Sequence, residues 1–186
     1  MRQFTYSLVN ATLDSEEPRP ESIRMCRKGD FQILCELNRT CFAEPTTPVT
    51  MKVHERLHQN TIFIAEVGET PVGYVLGLMS QVRPEEGWIR QFGVIPPYRR
   101  KGMAERLVRR EVEAMKGLEA RYIGLTVSPS NIPSINLGNK IGFKVIDEGQ
   151  HETYEADGNT VVRDYYGPGE DRVMMRLYLS DEERTE

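Results

Sequence analysis

Three consecutive basic residues, Arg99, Arg100 and Lys101, lead directly into Gly102, Met103 and Ala104. Residues of these types in this order suit an anion. The preceding stretch, Trp88 to Val94, reads as a strand. The following one, Glu105 to Lys116, has no proline or glycine and carries Ala104, Leu107, Val108, Val112 and Met115 near helical spacing. The chemistry is therefore that of a strand, a basic turn and a helix start. The first amides of a helix have no intrahelical partner, and the positive end of its dipole faces the turn. A phosphate is the natural ligand there. Gly102 lets the backbone approach the ligand closely, so the amides from Arg100 to Ala104 form the expected cradle.

A second constellation is His54-Glu55-Arg56-Leu57-His58, which matches the zinc signature His-Glu-x-x-His. On a helix its two histidines would share a face, with Glu55 as base. Such a site needs a third protein ligand. The only other histidine is His151, and a strand, Thr61 to Val67, follows at once. The expectation is a solvated helix face and no metal, with a zinc hydrolase as the weakest reading.

The elements that position these groups follow from pattern. Ser22 to Cys26 alternates as a first strand, and Asp30 is placed to cap a helix from Phe31 to about Phe42. Pro45 to Pro48 ends it, and a second helix runs from about Thr50 to Gln59. Ile62–Val67 and Val72–Leu78 form a hairpin around Gly68 to Pro71. The Trp88 strand comes next. The strand Tyr122–Val127 is entered through a helical crossover and is expected parallel to it. Ser130 or Asn131 can cap a further helix with Pro133 in its first turn, and Gly142 stops it. A strand at Lys144–Asp147, a loop around Asp157-Gly158-Asn159 and a last strand at Val173–Leu179 complete the chain.

The 186 residues suit one domain, and the net charge of −4 gives no argument for nucleic acid. No apolar run reaches membrane-spanning length. The N-terminus has no apolar signal core, so a cytoplasmic protein is expected. The three cysteines, Cys26, Cys35 and Cys41, include no Cys-x-x-Cys pair and are expected to be reduced thiols. Residues 1–21 read as an extension, with an alternating stretch at Phe4 to Leu8 and an acidic, proline-bearing linker. Residues 22–180 read as the domain and 181–186 as a tail.

The run Arg99-x-x-Gly102-x-Ala104 after Val94-x-Pro96 resembles the pyrophosphate-binding motif of the GCN5-related N-acetyltransferases (GNAT). Asn131, Leu137, Gly142 and Phe143 resemble that family's later Asn…Leu…Gly-Phe segment, with Ser134 where alanine is usual. Asp164-Tyr165-Tyr166 followed by Asp171 to Met175 resembles the ending of its protein N-terminal acetyltransferase branch, which includes the ribosomal-protein enzymes. The resemblance implies an α/β (α+β) fold: a mixed, mostly antiparallel sheet of about six or seven strands with about four flanking helices. Its parallel strands 88–94 and 121–127 would splay apart.

The resemblance further implies acetyl-CoA as co-substrate. Its pyrophosphate would lie on Arg99, Arg100, Lys101, Gly102, Met103 and Ala104, with main-chain contacts from Phe92 and Val94. Asn131 would meet the pantetheine arm, and Ser134, Leu137 and Lys140 would line the cofactor. The family's usual thiolate-protonating tyrosine falls at Gly138, and the glutamate base of the ribosomal-protein branch falls at Thr126. Glu86 is then the nearest carboxylate base, and Tyr165 and Tyr166 are the acid candidates. One of these tyrosines is expected to fill the space at Gly138, as acid or as acceptor wall. No cysteine lies near the thioester site in sequence, so direct attack in a ternary complex is expected. The acceptor is a primary amine, either a protein or peptide N-terminus or a small amine. An inactive acyl-CoA-binding module is the alternative, and a homodimer is left open.

Overall fold

The computed structural model describes residues 20–179. The expected strand near Phe4, the acidic linker and the C-terminal tail lie outside these residues. In chain order the elements are β1 (Glu21–Met25), α1 (Phe31–Cys41), α2 (Pro48–Leu57), β2 (Ile62–Val67), β3 (Thr70–Met79), β4 (Glu86–Val94) and α3 (Met103–Gly117). Then come β5 (Tyr122–Val127), α4 (Ile132–Ile141), β6 (Lys144–Val145), β7 (Thr153–Ala156), β8 (Asn159–Val162) and β9 (Val173–Tyr178). A seven-stranded sheet has the order β1-β2-β3-β4-β5-β9-β6, and β7 and β8 form a separate hairpin. All pairs in the sheet are antiparallel except β4 with β5. This is the mixed, mostly antiparallel architecture with four helices that the sequence implied.

Three local details decide what the sheet presents. In the β3–β4 ladder Gly77 pairs with Ile89 and Leu76 with Gln91, so Arg90 is an extra residue on β4. Such a bulge reverses which face the following side chains take. Before it, Gly87 faces Met115 of α3; after it, Gly93 faces Cys41 and Phe42 of α1. The two helices therefore cover opposite faces of one strand. Leu34 and Leu37 of α1 and Leu107, Val108 and Met115 of α3 fill the two sides of the core.

Helix ends differ in part from their sequence reading. The α2 helix starts at Pro48, where its missing N–H costs nothing, and the Thr47 side chain accepts from the Thr50 amide. Asp30 occupies the N-cap position of α1 without a side-chain cap bond. Its carboxylate accepts from Arg24 and from the Arg27 amide instead, which keeps its carboxyl below the usual range. Asn131 does cap α4, accepting from the Ser134 amide at 3.3 Å. The stretch read as a loop around Gly158 is the turn of the β7–β8 hairpin. Asp157 and Gly158 have φ of 50° and 74°, as a two-residue turn with two left-handed positions requires.

Candidate active site

The basic turn is built as a backbone cradle. Arg100 and Gly102 both take left-handed conformations, with φ of 61° and 77°. The first α3 hydrogen bond runs from the Arg106 amide to the Gly102 carbonyl at 3.1 Å. The amides of Met103, Ala104 and Glu105 thus lack intrahelical acceptors, and nothing lies within 4 Å of the position a Cβ on Gly102 would take. This open concavity of N–H groups at a helix dipole's positive end fits a pyrophosphate. Arg100 and Lys101 are exposed beside it, and the Met103 side chain is buried, leaving its amide as its contribution.

Arg99 braces the turn. Its guanidinium donates to the Val94 carbonyl at 2.8 Å and to the Cys41 carbonyl at 3.3 Å, and its amide donates to Pro96. It ties the ends of β4 and α1 together behind the turn. Lys140 on α4 is held by Glu105 at 2.6 Å, which links α4 to the start of α3. Ser134 and Leu137 are half-buried on the same helix.

From the turn, the cleft leads back between β4 and β5. These strands pair over only three positions, Glu86–Tyr122, Gly87–Ile123 and Trp88–Gly124. Beyond Trp88 they part. Leu125, Thr126 and Val127 pair with β9, while Gln91 to Val94 pair with β3. The facing edges of the two strands therefore keep unpaired backbone groups along a slot from Trp88 to Val94, about 20 Å long at the rise of a strand. Phe92 and Val94 lie on its β4 edge.

At the closed end of the slot, on the α1 side of the sheet, is a pocket of about 450 Å³. Glu86 and Trp88 of β4, Leu78 of β3, Arg83, Tyr165 and His58 line it. Glu86 is buried, and its Oε2 accepts from Arg83 Nε at 2.7 Å. Tyr165 and Tyr166 sit edge-to-face, with ring centroids 4.7 Å apart. The Tyr166 hydroxyl lies 3.0 Å from Thr126 Oγ1, at the mouth of the slot. Burial, then the Tyr166 neighbour, holds the Tyr165 phenol above its ordinary pKa. The loop that carries both tyrosines is braced by Asp171, which accepts from the Tyr154 hydroxyl at 2.6 Å and from the Asp164 amide at 2.9 Å.

The model of the Acetyltransferase (GNAT) family matches residues 31–143, more than half of the chain. The chain belongs to the GNAT acetyltransferase family. It is 30% identical over 167 residues to the N-terminal acetyltransferase complex ARD1 subunit homolog of Dictyostelium discoideum, covering 89% of this chain and 76% of that one. It is 27% identical over 176 residues to an N-alpha-acetyltransferase of Sulfurisphaera tokodaii, covering 89% and 98%. The fold is similar to that of Ard1 from Thermoplasma volcanium, with a TM-score of 0.72 at 18% identity, covering 87% and 99%. This GNAT chain is an N-acetyltransferase, and its acetyl donor is acetyl-CoA.

Other expectations change in the structure of this acetyltransferase. The space at Gly138 is filled from β9. A Cβ there would stand 2.9 Å from Met175 Cε and 3.0 Å from its Sδ, so no tyrosine enters it. Thr126 carries no base, but it receives Tyr166. Glu86 is present in the pocket, yet one of its oxygens is already occupied by Arg83. Cys41, far from the slot in sequence, packs against Gly93 beside Phe92 and Val94. Burial pushes its thiol up to about 11, so it is no thiolate nucleophile at neutral pH.

The His-Glu-x-x-His pattern is split by the fold. Glu55 is buried toward the start of α1, where Lys52 at 2.8 Å and the Gly29 amide at 3.3 Å hold it. Among the described residues there is no group of three or more His, Cys, Asp or Glu that could hold a metal, and no helix long and apolar enough to cross a membrane. The pocket residues that the sequence reading did not single out are His58, Trp88 and Arg83. They come from three segments that meet only when β3, β4 and the end of α2 pack together.

Proposed function

We propose that this N-acetyltransferase acts on the α-amine of a peptide or protein N-terminus, by direct attack on acetyl-CoA in a ternary complex. The observation that carries the reading is the junction of the slot with the pocket at Trp88. An extended acyl donor can approach along the strands while an amine approaches from the α1 side. The names of the two relatives above support the same acceptor class.

The chain's residues have separate tasks in this scheme. The amides from Arg100 to Glu105 hold the pyrophosphate, and the edges of β4 and β5 hold the pantetheine arm, with Asn131, Ser134, Leu137 and Lys140 alongside. Tyr165 and Tyr166 form the wall against which the acceptor backbone lies, and their hydroxyls are the candidate proton donors to the departing sulfur. Glu86 and Arg83 set the charge of the pocket floor. Holding donor and acceptor in register supplies most of the acceleration for such a transfer. An α-amine, with a pKa near 8, needs far less help to become neutral than a lysine near 10.4.

The test is a panel of synthetic peptides with free Met, Ser or Ala α-amines, the same peptides blocked at the α-amine but carrying lysine, and small diamines. Thiol release and product mass are followed together. Acetylation confined to free α-amines is the expected outcome. Transfer only to lysine or to small amines would exclude the proposal. Release of no thiol with any amine would favour an acyl-CoA-binding module.

A further inference from the structure

We infer that His58 is the general base that takes the proton of the acceptor ammonium. The inference rests on the α-amine reading above and adds the proton acceptor that it lacks. A general base must sit in the site, reach the amine and be unprotonated at working pH. His58 lines the pocket with Glu86, Trp88 and Tyr165. That pocket adjoins the point where β4 and β5 part, since Trp88 makes their last pair and Tyr165 stacks on the Tyr166 that reaches Thr126.

The backbone of His58 is fixed on both sides. Its amide donates to the His54 carbonyl at 2.8 Å, and its carbonyl accepts from the Thr61 amide at 3.0 Å. The buried Thr61 hydroxyl lies between this carbonyl and that of Gly77, at 3.1 and 2.8 Å. The histidine is thereby pinned to β3, at the end of α2.

Titratable and charged groups face it from several elements. From α2, His54 has its ring 5.6 Å away and its Nδ1 buried without a partner. From β4 come Glu86 and, acting on His54, Arg90; from the β3–β4 loop, Arg83; from the loop before β9, Tyr165, against which His151 packs. Burial lowers the His58 pKa below its ordinary value, which favours the free base. Glu86 is the poorer acceptor because Arg83 already occupies one of its oxygens.

The step balances without another reagent. The ammonium gives one proton to His58. The nitrogen lone pair then forms the C–N bond to the acetyl carbonyl carbon, the C–S bond breaks, and its electron pair goes to sulfur. As the adduct collapses the nitrogen gives up its second proton and the thiolate takes one up, relayed through Tyr165, Tyr166 or water, so that a neutral amide and a free thiol are left. His58 returns its proton to solvent through the open pocket.

The experiment compares wild type, His58→Gln and His58→Ala on the Met, Ser and Ala α-amine peptides from pH 5.5 to 9.5, with acetyl-CoA affinity measured by calorimetry. The expected result is unchanged acetyl-CoA affinity, a kcat loss of about 10²-fold at pH 7, and an ascending pH limb displaced toward the pKa of the amine. Added imidazole should restore part of the activity of His58→Ala. Wild-type kcat and an unmoved pH profile in both variants would overturn the role of His58 while leaving the α-amine reading standing. If wild type acetylates other amines and no α-amine, the acceptor reading falls, and the same comparison on those amines decides His58. If wild type releases no thiol with any amine, both fall.

Discussion

The indole of Trp88 occupies the place of the side chain that Gly124 lacks. A Cβ on Gly124 would stand 2.5 Å from Trp88 Cζ3 and 2.6 Å from Cε3. The two residues form the last pair between β4 and β5, so a residue without a side chain on one strand seats the ring of the other at the head of the slot. Replacing Gly124 with alanine must drive the indole toward the acceptor pocket. Overpacking of this kind costs about 1–3 kcal/mol. The expected outcome is a lower melting temperature and a raised acceptor KM with acetyl-CoA affinity close to wild type. A variant whose acceptor KM does not move would show that the indole sets no wall of the site.

Gly102 tests the cradle. Its φ of 77° is a conformation that side chains avoid, β-branched ones most of all. Gly102→Val should relax the turn and turn amides away from the anion, raising the Kd for CoA at least about tenfold. Because nothing surrounds the added side chain, the melting temperature should fall little. Calorimetry with CoA reads the first effect and thermal unfolding the second.

The two tyrosines are separable. Tyr166 spends its hydroxyl on Thr126, whereas Tyr165 turns into the pocket. Tyr166→Phe should raise the acceptor KM by loosening the wall, with kcat within about threefold of wild type. Tyr165→Phe should lower kcat more than it raises KM if its phenol protonates the leaving sulfur. Steady-state kinetics at saturating acetyl-CoA decides between them, and equal KM effects with unchanged kcat would make both residues walls.

Glu111 gives a pH signature independent of activity. It is fully enclosed where α3 packs under Gly77 of β3, and neither carboxyl oxygen has a hydrogen-bond partner. Burial pushes its carboxyl up to about 9, from an ordinary value of 4.5. The folded protein thus keeps this proton through a range where the unfolded chain has released it. Stability linked to Glu111 is full below the unfolded value and falls as pH rises toward 9, by about 1.4 kcal/mol per pH unit at the steepest. Glu111→Gln should flatten the dependence of the melting temperature on pH between 5 and 9. An unchanged slope would mean that Glu111 finds a charge partner or water in solution.

The amino-acid sequence by itself determined the local chemistry of this protein. Strand, basic turn and helix start at 88–116 are a matter of periodicity, one glycine and three adjacent cations, and they were legible without a partner. So were the Gly142 stop and a cap at Ser130 or Asn131, between which the structure chose Asn131. The β7–β8 hairpin was also written there, in Asp157-Gly158, but the loop reading passed over it. What tertiary structure decided is where side chains from distant segments meet. The single extra residue at Arg90 turns Gly93 toward Cys41 while Glu86 and Trp88 line the pocket, and one-dimensional spacing does not show a bulge. Met175, not a tyrosine, fills the space at Gly138 because β9 pairs beside β5 and brings its side chains under α4. Arg99 faces carbonyls because α1 ends behind the turn. His58, read in sequence only as half of a zinc pattern, becomes a pocket residue because the end of α2 is pinned by Thr61 to β3. Motifs held by neighbouring residues survive in the sequence because backbone geometry is local. The acceptor side does not, because packing across the sheet is what brings its parts together.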